Sequence, residues 1–178
     1  MSEQHLSEIL TSKISESIGS AYEFYWDPDE KGITTGWFQL TVAEDICKVA
    51  KVIAELKGRV MAITASVTTS DSPGWVELAY HFAVGVLNCT FIIGLPGDQR
   101  EIESITPILK SADWQEREMQ ELYNIRVRNH PNPKRLFLEE NMHMADNLMI
   151  PLSEAMNGNS TATLWERVMQ SKNKEVER

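Results

Sequence analysis

Cysteine is scarce in this chain, and the scarcity is the first constraint on what the protein does: only two occur in 178 residues. Cys47 and Cys89 stand far apart, each inside an apolar run, so they offer neither a Cys-x-x-Cys clip nor a disulfide framework. Iron–sulfur clusters usually take four cysteine ligands and [NiFe] centres take paired Cys-x-x-Cys motifs, so neither centre has a ligand set here. Both thiols are expected to be buried. Basic residues are also few, with 17 Lys and Arg against 26 Asp and Glu and a formal net charge of -9. Such a surface repels nucleic-acid phosphates and anionic lipid head groups, and only residues 126–135 gather a local basic patch, so no nucleic-acid partner is expected. No apolar run approaches the roughly 18 residues needed to cross a bilayer. The first ten residues are polar and acidic where a secretory signal would be basic and then apolar, which points to the cytosol. No GxGxxG or Walker-type loop is present, so nicotinamide, flavin and nucleotide binding have no sequence support. The histidines His5, His81, His130 and His143 lack metal-ligand spacing, and only His130 and His143 are candidates to approach in space.

What remains is ordinary globular composition, 42% hydrophobic and 24% charged, enough for one domain with a real core. Leu6, Ile9, Leu10, Ile14 and Ile18 recur at helical spacing and Gly19 follows as a stop. Residues 21–26 and 37–42 have strand composition around a turn-rich linker, which predicts a hairpin. Residues 43–57 read as a helix with Glu44 and Asp45 at its start and Gly58 at its end. Three strand-like runs follow, 61–68, 76–84 and 89–95. In the middle one Leu78, Tyr80, Phe82 and Val84 alternate with Glu77, Ala79, His81 and Ala83, and the small face is the one expected to receive helices. Residues 101–109 and 112–123 are predicted helices. The fold class is therefore α+β: a mixed or antiparallel sheet of about four to five strands with helices on one face. Residues 1–137 form the domain, and 138–178 form an extended, methionine-punctuated tail with a short terminal helix near Leu164.

The densest stretch is residues 112–137. On a helical wheel at about 100° per residue, Trp114, Glu118, Glu121, Leu122 and Ile125 share one sector, with Arg117 at its edge. Two carboxylates then lie on the face expected to be buried, and they need partners. Three readings are open: an intrahelical ladder in which Arg117 reaches Asp113 and Glu121, a face satisfied by another subunit, and a general acid/base pair of Glu118 and Glu121 in a stand-alone enzyme. Asp113 and Glu116 fit a capping box, and Asn124 suits a left-handed stop. After it, His130-Pro131-Asn132-Pro133 fixes an extended loop that ends in Lys134-Arg135.

This run resembles the signature of the 30 kDa subunit family of respiratory complex I, which includes the equivalent subunit of energy-converting membrane-bound [NiFe] hydrogenases and formate hydrogenlyases. The residues that carry the likeness are Asp113-Trp114, Glu116-Arg117-Glu118, Glu121, Leu122-Tyr123, His130-Pro131 and Lys134-Arg135, with upstream similarity over the strands and helix from Phe38 to Leu95. The chain departs from the pattern at Asn124, where the family usually has Gly, and at 138–141, where Leu-Glu-Glu-Asn replaces a PEDW-like run. The resemblance implies a connecting subunit without catalytic chemistry or cofactor of its own, with iron–sulfur and [NiFe] or quinone sites in partner subunits. It implies docking on a large subunit of the 49 kDa or [NiFe]-hydrogenase type, beside a small iron–sulfur subunit. The membrane arm is touched only indirectly, and the place is the cytoplasmic face of the cell membrane. Interface and signature residues are then Asp113, Trp114, Glu116, Arg117, Glu118, Glu121, His130, Pro131, Lys134 and Arg135. Pro133 resembles the hydrogenase branch slightly more than the corresponding subunit of NADH:quinone oxidoreductase.

Overall fold

The computed structural model describes residues 3–28, 33–68 and 75–137. The tail from residue 138, with its expected terminal helix and His143, lies outside the described residues. Helix α1 (Glu3–Ser17) forms where the apolar spacing predicted it, and Leu6, Leu10, Ile14 and the following Ile18 are buried. Strand β1 (Tyr22–Pro28) then pairs antiparallel with β2 (Thr34–Leu40), which confirms the hairpin. A 3-10 turn at Ala43–Asp45 leads into α2 (Ile46–Glu55), whose Ile46, Val49, Ala50 and Ile53 face the core. The stop of α2 differs in detail from the expected one. Lys57 takes the left-handed φ of 56°, while Gly58 is required for room, because a Cβ there would lie 2.7 Å from Ile53 and 2.8 Å from the Ala83 carbonyl.

Strands β3 (Arg59–Thr68), β4 (Trp75–Val84) and β5 (Leu87–Leu95) form an antiparallel meander. β5 runs parallel to β2, which closes a mixed five-stranded sheet in the order β1-β2-β5-β4-β3. Phe38 is the aromatic hub, 4.5 Å from the Phe91 ring in a stacked contact, 5.6 Å from Phe24 and 5.7 Å from Trp26. Truncating such a fully buried ring costs about 3 to 5 kcal/mol. Among the described residues the helices cover the bulky face and not the small one, the reverse of the expectation. Leu78, Tyr80, Phe82 and Val84 are buried with the helical core, while Glu77 is exposed and Ala79, His81 and Ala83 are half-buried. The physical reason is transfer free energy: about 25 cal/mol per Å² of apolar area favours covering the larger side chains.

Residues 101–109 are not a helix. They contribute β6 (Glu101–Glu103), which pairs in parallel with β7 (Arg126–Arg128), and then a turn through Pro107. Thr106 precedes that proline and is disfavoured in the helical region, and Ile102 between two glutamates has strand alternation. Helix α3 (Asp113–Tyr123) packs on the covered side of the sheet beside β3 and β7 and ends at Asn124, in the left-handed conformation predicted for it with φ 51°. Among the described residues no helix is long and apolar enough to cross a membrane.

Candidate functional site

α3 has two covered sides, and this explains where the wheel misplaced its residues. Ala112, Glu116, Met119, Glu121 and the following Ile125 are buried, Glu116 against the residues after β6 and Glu121 against residues 136–137. Trp114 is 66% exposed, against expectation, and Glu118 and Leu122 are half-buried. A single buried sector assumes a single contact surface, whereas this helix is gripped between the core and its own C-terminal continuation. The capping box does not form either: Ala112 is the N-cap and makes no side-chain bond.

Glu116 is instead the centre of a buried polar cluster. One oxygen, Oε1, accepts from the Ile105 amide at 2.7 Å, and Oε2 accepts from the Ser104 and Thr106 hydroxyls at 2.6 Å each. The Thr106 amide donates to Ser104 Oγ at 3.2 Å, so the cluster has an ordered direction of donation. His130 joins it from the loop that follows β7. Its Nδ1 accepts from the Asn132 amide at 3.0 Å, which assigns the ring proton to Nε2, and Nε2 lies 3.4 Å from Thr106 Oγ1. Nε2 also lies 3.5 Å from Asp113 Oδ1 and 3.6 Å from Glu116 Oε2, so two carboxylates flank this edge of the ring. Burial first, then the Glu116 carboxylate, pushes the Tyr80 phenol well above its ordinary range.

The other side of α3 holds the segment after the prolines. Gln120 donates to the Pro133 carbonyl at 3.2 Å, and Arg117 donates through Nε to the Lys134 carbonyl at 2.7 Å and through Nη2 to the Arg135 carbonyl at 2.9 Å. Glu121 Oε2 then accepts from the Leu136 and Phe137 amides at 2.6 and 3.0 Å. Five successive residues thus have a backbone group held by three helix side chains, a substitute for a paired strand. Bonds of this charge-assisted kind are worth about 1.5 to 3 kcal/mol each when buried and less at the half-exposed rim. The ladder reading is met only in part: Arg117 lies 4.0 Å from Asp113, while its guanidinium is committed to the loop carbonyls. Glu116 and Glu121 find their partners inside this chain.

The ten sequence-chosen residues therefore divide by role. Asp113, Glu116, Arg117, Glu121 and His130 build the frame, whereas Trp114, Pro131, Lys134 and Arg135 are exposed on it and Glu118 is half-buried beside them. Sequence reasoning missed Ser104, Thr106 and Gln120, although the Ser-x-Thr-Pro run at 104–107 is the signal that marks a polar turn. Behind β6, a polar cleft of about 470 Å³ is lined by Glu44, Arg100, Glu101, Asn124, Arg126 and Arg128 among others. Two of its arginines are paired, Arg126 with Glu101 at 3.0 Å and Arg128 with Glu103 at 3.5 Å. Among the described residues no three His, Cys, Asp or Glu side chains are grouped to hold a metal. Cys89 is fully buried and Cys47 half-buried. Burial, with Glu103 and Glu116 adding to it, pushes the Cys47 thiol up to about 11, and burial pushes Cys89 up to about 12.

Comparison with known proteins gives this arrangement a context. A subunit of the F(420)H(2) dehydrogenase of Methanosarcina mazei is 33% identical over 147 residues, which covers 80% of this chain and 86% of that one. A subunit of the NADH-quinone oxidoreductase of Rhodopseudomonas palustris is 31% identical over 115 residues, 61% of this chain and 56% of the relative. Two solved structures share the fold at 15% identity. One is the trypsin-resistant fragment (1-134) of Nqo5, with a TM-score of 0.54 over 71% of this chain and 98% of that one. The other comes from an archaeal membrane-bound sulfane sulfur reductase, with a TM-score of 0.53 over 81% of this chain and 79% of that one. The profile of the respiratory-chain NADH dehydrogenase 30 Kd subunit matches residues 40–162, a span that takes in most of the sheet, α3 and the loop it holds. With the signature side chains arranged as one framework and the match running through it, the chain belongs to the 30 kDa subunit family of respiratory-chain NADH dehydrogenase.

Proposed function

We propose that this chain is the non-catalytic connecting subunit of a membrane-bound, ion-pumping oxidoreductase, and that it docks on the large subunit through the rim of the signature segment. Membership of the family makes it a complex I 30 kDa-type subunit of a multisubunit oxidoreductase. The observation that carries the docking role is the division of labour in the segment. Three side chains of α3 hold residues 133–137 by their backbone, while the basic side chains of Lys134 and Arg135 stay exposed, as does Trp114 on α3. A preformed loop loses little entropy on binding, which favours recognition. The acid/base alternative draws no support from the geometry, because Glu121 Oε2 is committed to two backbone amides.

In this reading the cofactors sit in the partners, a large subunit of the 49 kDa or [NiFe]-hydrogenase type and a small iron–sulfur subunit. The chain lies peripherally on the cytoplasmic face and meets the membrane arm only indirectly. Between the branches, the similarity to an F(420)H(2) dehydrogenase subunit over 80% of the chain supports a dehydrogenase reading, while Pro133 supports the hydrogenase one; the proposal follows the longer match. The test is co-purification of the tagged chain with its complex. Lys134→Glu with Arg135→Glu, and separately Trp114→Ala, should cut recovery of the large subunit at least tenfold while the melting temperature of the isolated chain stays put. Normal recovery with both variants refutes the docking role.

A further inference from the structure

Among the described residues no helix covers the side of the sheet away from α3, and its composition is unusual. Tyr25 and Trp37 stack across the β1–β2 pair with ring centroids 6.4 Å apart and planes at 15°. Tyr25 is 60% exposed. On the same face of β1, one step to either side, stand Glu23 and Asp27, both exposed. A groove of about 350 Å³ runs beside the stack, with Ile92 and Gln39 in its lining. Further along, the Trp75 indole lies over Gly94, so close that a Cβ there would come within 2.1 Å of the ring. β1, β2, β4 and β5 contain no Lys or Arg at all, and Arg59 at the start of β3 is the cation of the sheet. The face therefore combines an aromatic stack, carboxylates on both sides of it and an apolar groove next to it.

We infer that this face is a second docking surface, for a basic segment of a partner protein in which an arginine neighbours an apolar side chain. A guanidinium is planar, weakly hydrated and able to lie on an aromatic face while its N–H groups reach carboxylates. Over Tyr25 and Trp37 it meets Glu23 or Asp27 at its edge, and the adjacent apolar side chain fills the groove over Ile92. Charge selects this occupant over the others. Two copies of the chain placed face to face would bring Glu23 and Asp27 against their equals. The inference concerns the opposite side of the sheet from the signature segment and stands or falls separately from it.

The experiment uses the isolated 178-residue chain and a blocked pentapeptide, Leu-Arg-Val-Arg-Leu, with Glu-for-Arg and Lys-for-Arg versions. Titration followed by the Trp37 indole N–H resonance should show saturable binding of the arginine peptide, weaker binding of the lysine peptide and none of the acidic one. Glu23→Lys with Asp27→Lys, both exposed and outside the core, should lower affinity at least tenfold with an unchanged melting curve, and Tyr25→Ser should do the same. Hydroxyl-radical labelling of Tyr25 and Trp37 should be strong in the isolated chain and suppressed in the purified complex. Equal binding of the acidic peptide, no saturable binding, or full affinity in the double variant overturns the inference. So does dimerisation by light scattering that the double variant abolishes, or protection of both rings already in the isolated chain, because either shows a different occupant.

Discussion

Replacing Glu116 by alanine probes the framework at its most enclosed point. The side chain has no exposed surface and accepts three bonds of 2.6 to 2.7 Å. The two hydroxyls can rotate toward other acceptors, but the Ile105 amide is fixed and is left buried without a partner. An unsatisfied buried donor costs about 1 to 3 kcal/mol, the lost charge-assisted bonds add to this, and the sum is about 3 to 5 kcal/mol. With a urea slope of about 2 kcal/mol per M, the unfolding midpoint should fall by about 2 M. Glu116→Gln should recover most of that loss. Its carbonyl still faces Ile105, and its NH2 group meets two hydroxyls that can turn to accept, which leaves a cost of about 1 to 2 kcal/mol. The assay is urea denaturation followed by far-UV circular dichroism for the three proteins. A loss below about 0.5 kcal/mol for alanine, or equal losses for alanine and glutamine, would refute a hydrogen-bonded centre at Glu116.

Further outcomes follow from other buried groups. Tyr80 carries a phenol oxygen that is buried without a hydrogen-bond partner among the described residues, so Tyr80→Phe should leave stability unchanged or raise it by about 1 kcal/mol in the same assay. Burial pulls the Asp45 carboxyl up, but its bonds to Lys48 and Ser20 outweigh this and hold it below the ordinary 3.8. Its contribution is thus fully present above that value and drains away as pH falls through the lower folded value, and Asp45→Asn should flatten this part of the acid limb of stability against pH. With the thiols raised to about 11 and about 12, the thiolate fraction at pH 8 is on the order of a thousandth or less, so labelling by iodoacetamide should be far slower in the native chain than in urea.

Much of the fold was legible because its periodicities are clean. α1, the β1–β2 hairpin and the β3–β4–β5 meander follow directly from apolar spacing and turn chemistry. Asn124 was readable as a left-handed stop from its own side chain. What failed did so for identifiable reasons. Alternation in β4 separates large from small side chains but does not say which set faces helices until area is weighed. Residues 101–109 satisfy a helical count, yet Pro107 and the partner strand at Arg126–Arg128, remote in sequence, decide otherwise. The signature residues were visible as a set, while their roles were not. Glu121 and Arg117 act on backbone groups of residues 134–137, and backbone atoms leave no trace in a sequence.

The parallel contact between β2 and β5 has a further consequence for how the chain comes off the ribosome. The first hairpin is complete at Leu40, but the strand that pairs with the free edge of β2 is not finished until Leu95. At about 5 to 20 residues per second, translation leaves that edge unpaired for several seconds. During this interval β2 presents an unpaired edge and Phe38 lacks its stacking partner Phe91, a surface that a nascent-chain chaperone would bind. The order of strands thus makes the N-terminal third dependent on late-arriving sequence, and a stall anywhere in the meander strands an aggregation-prone half sheet.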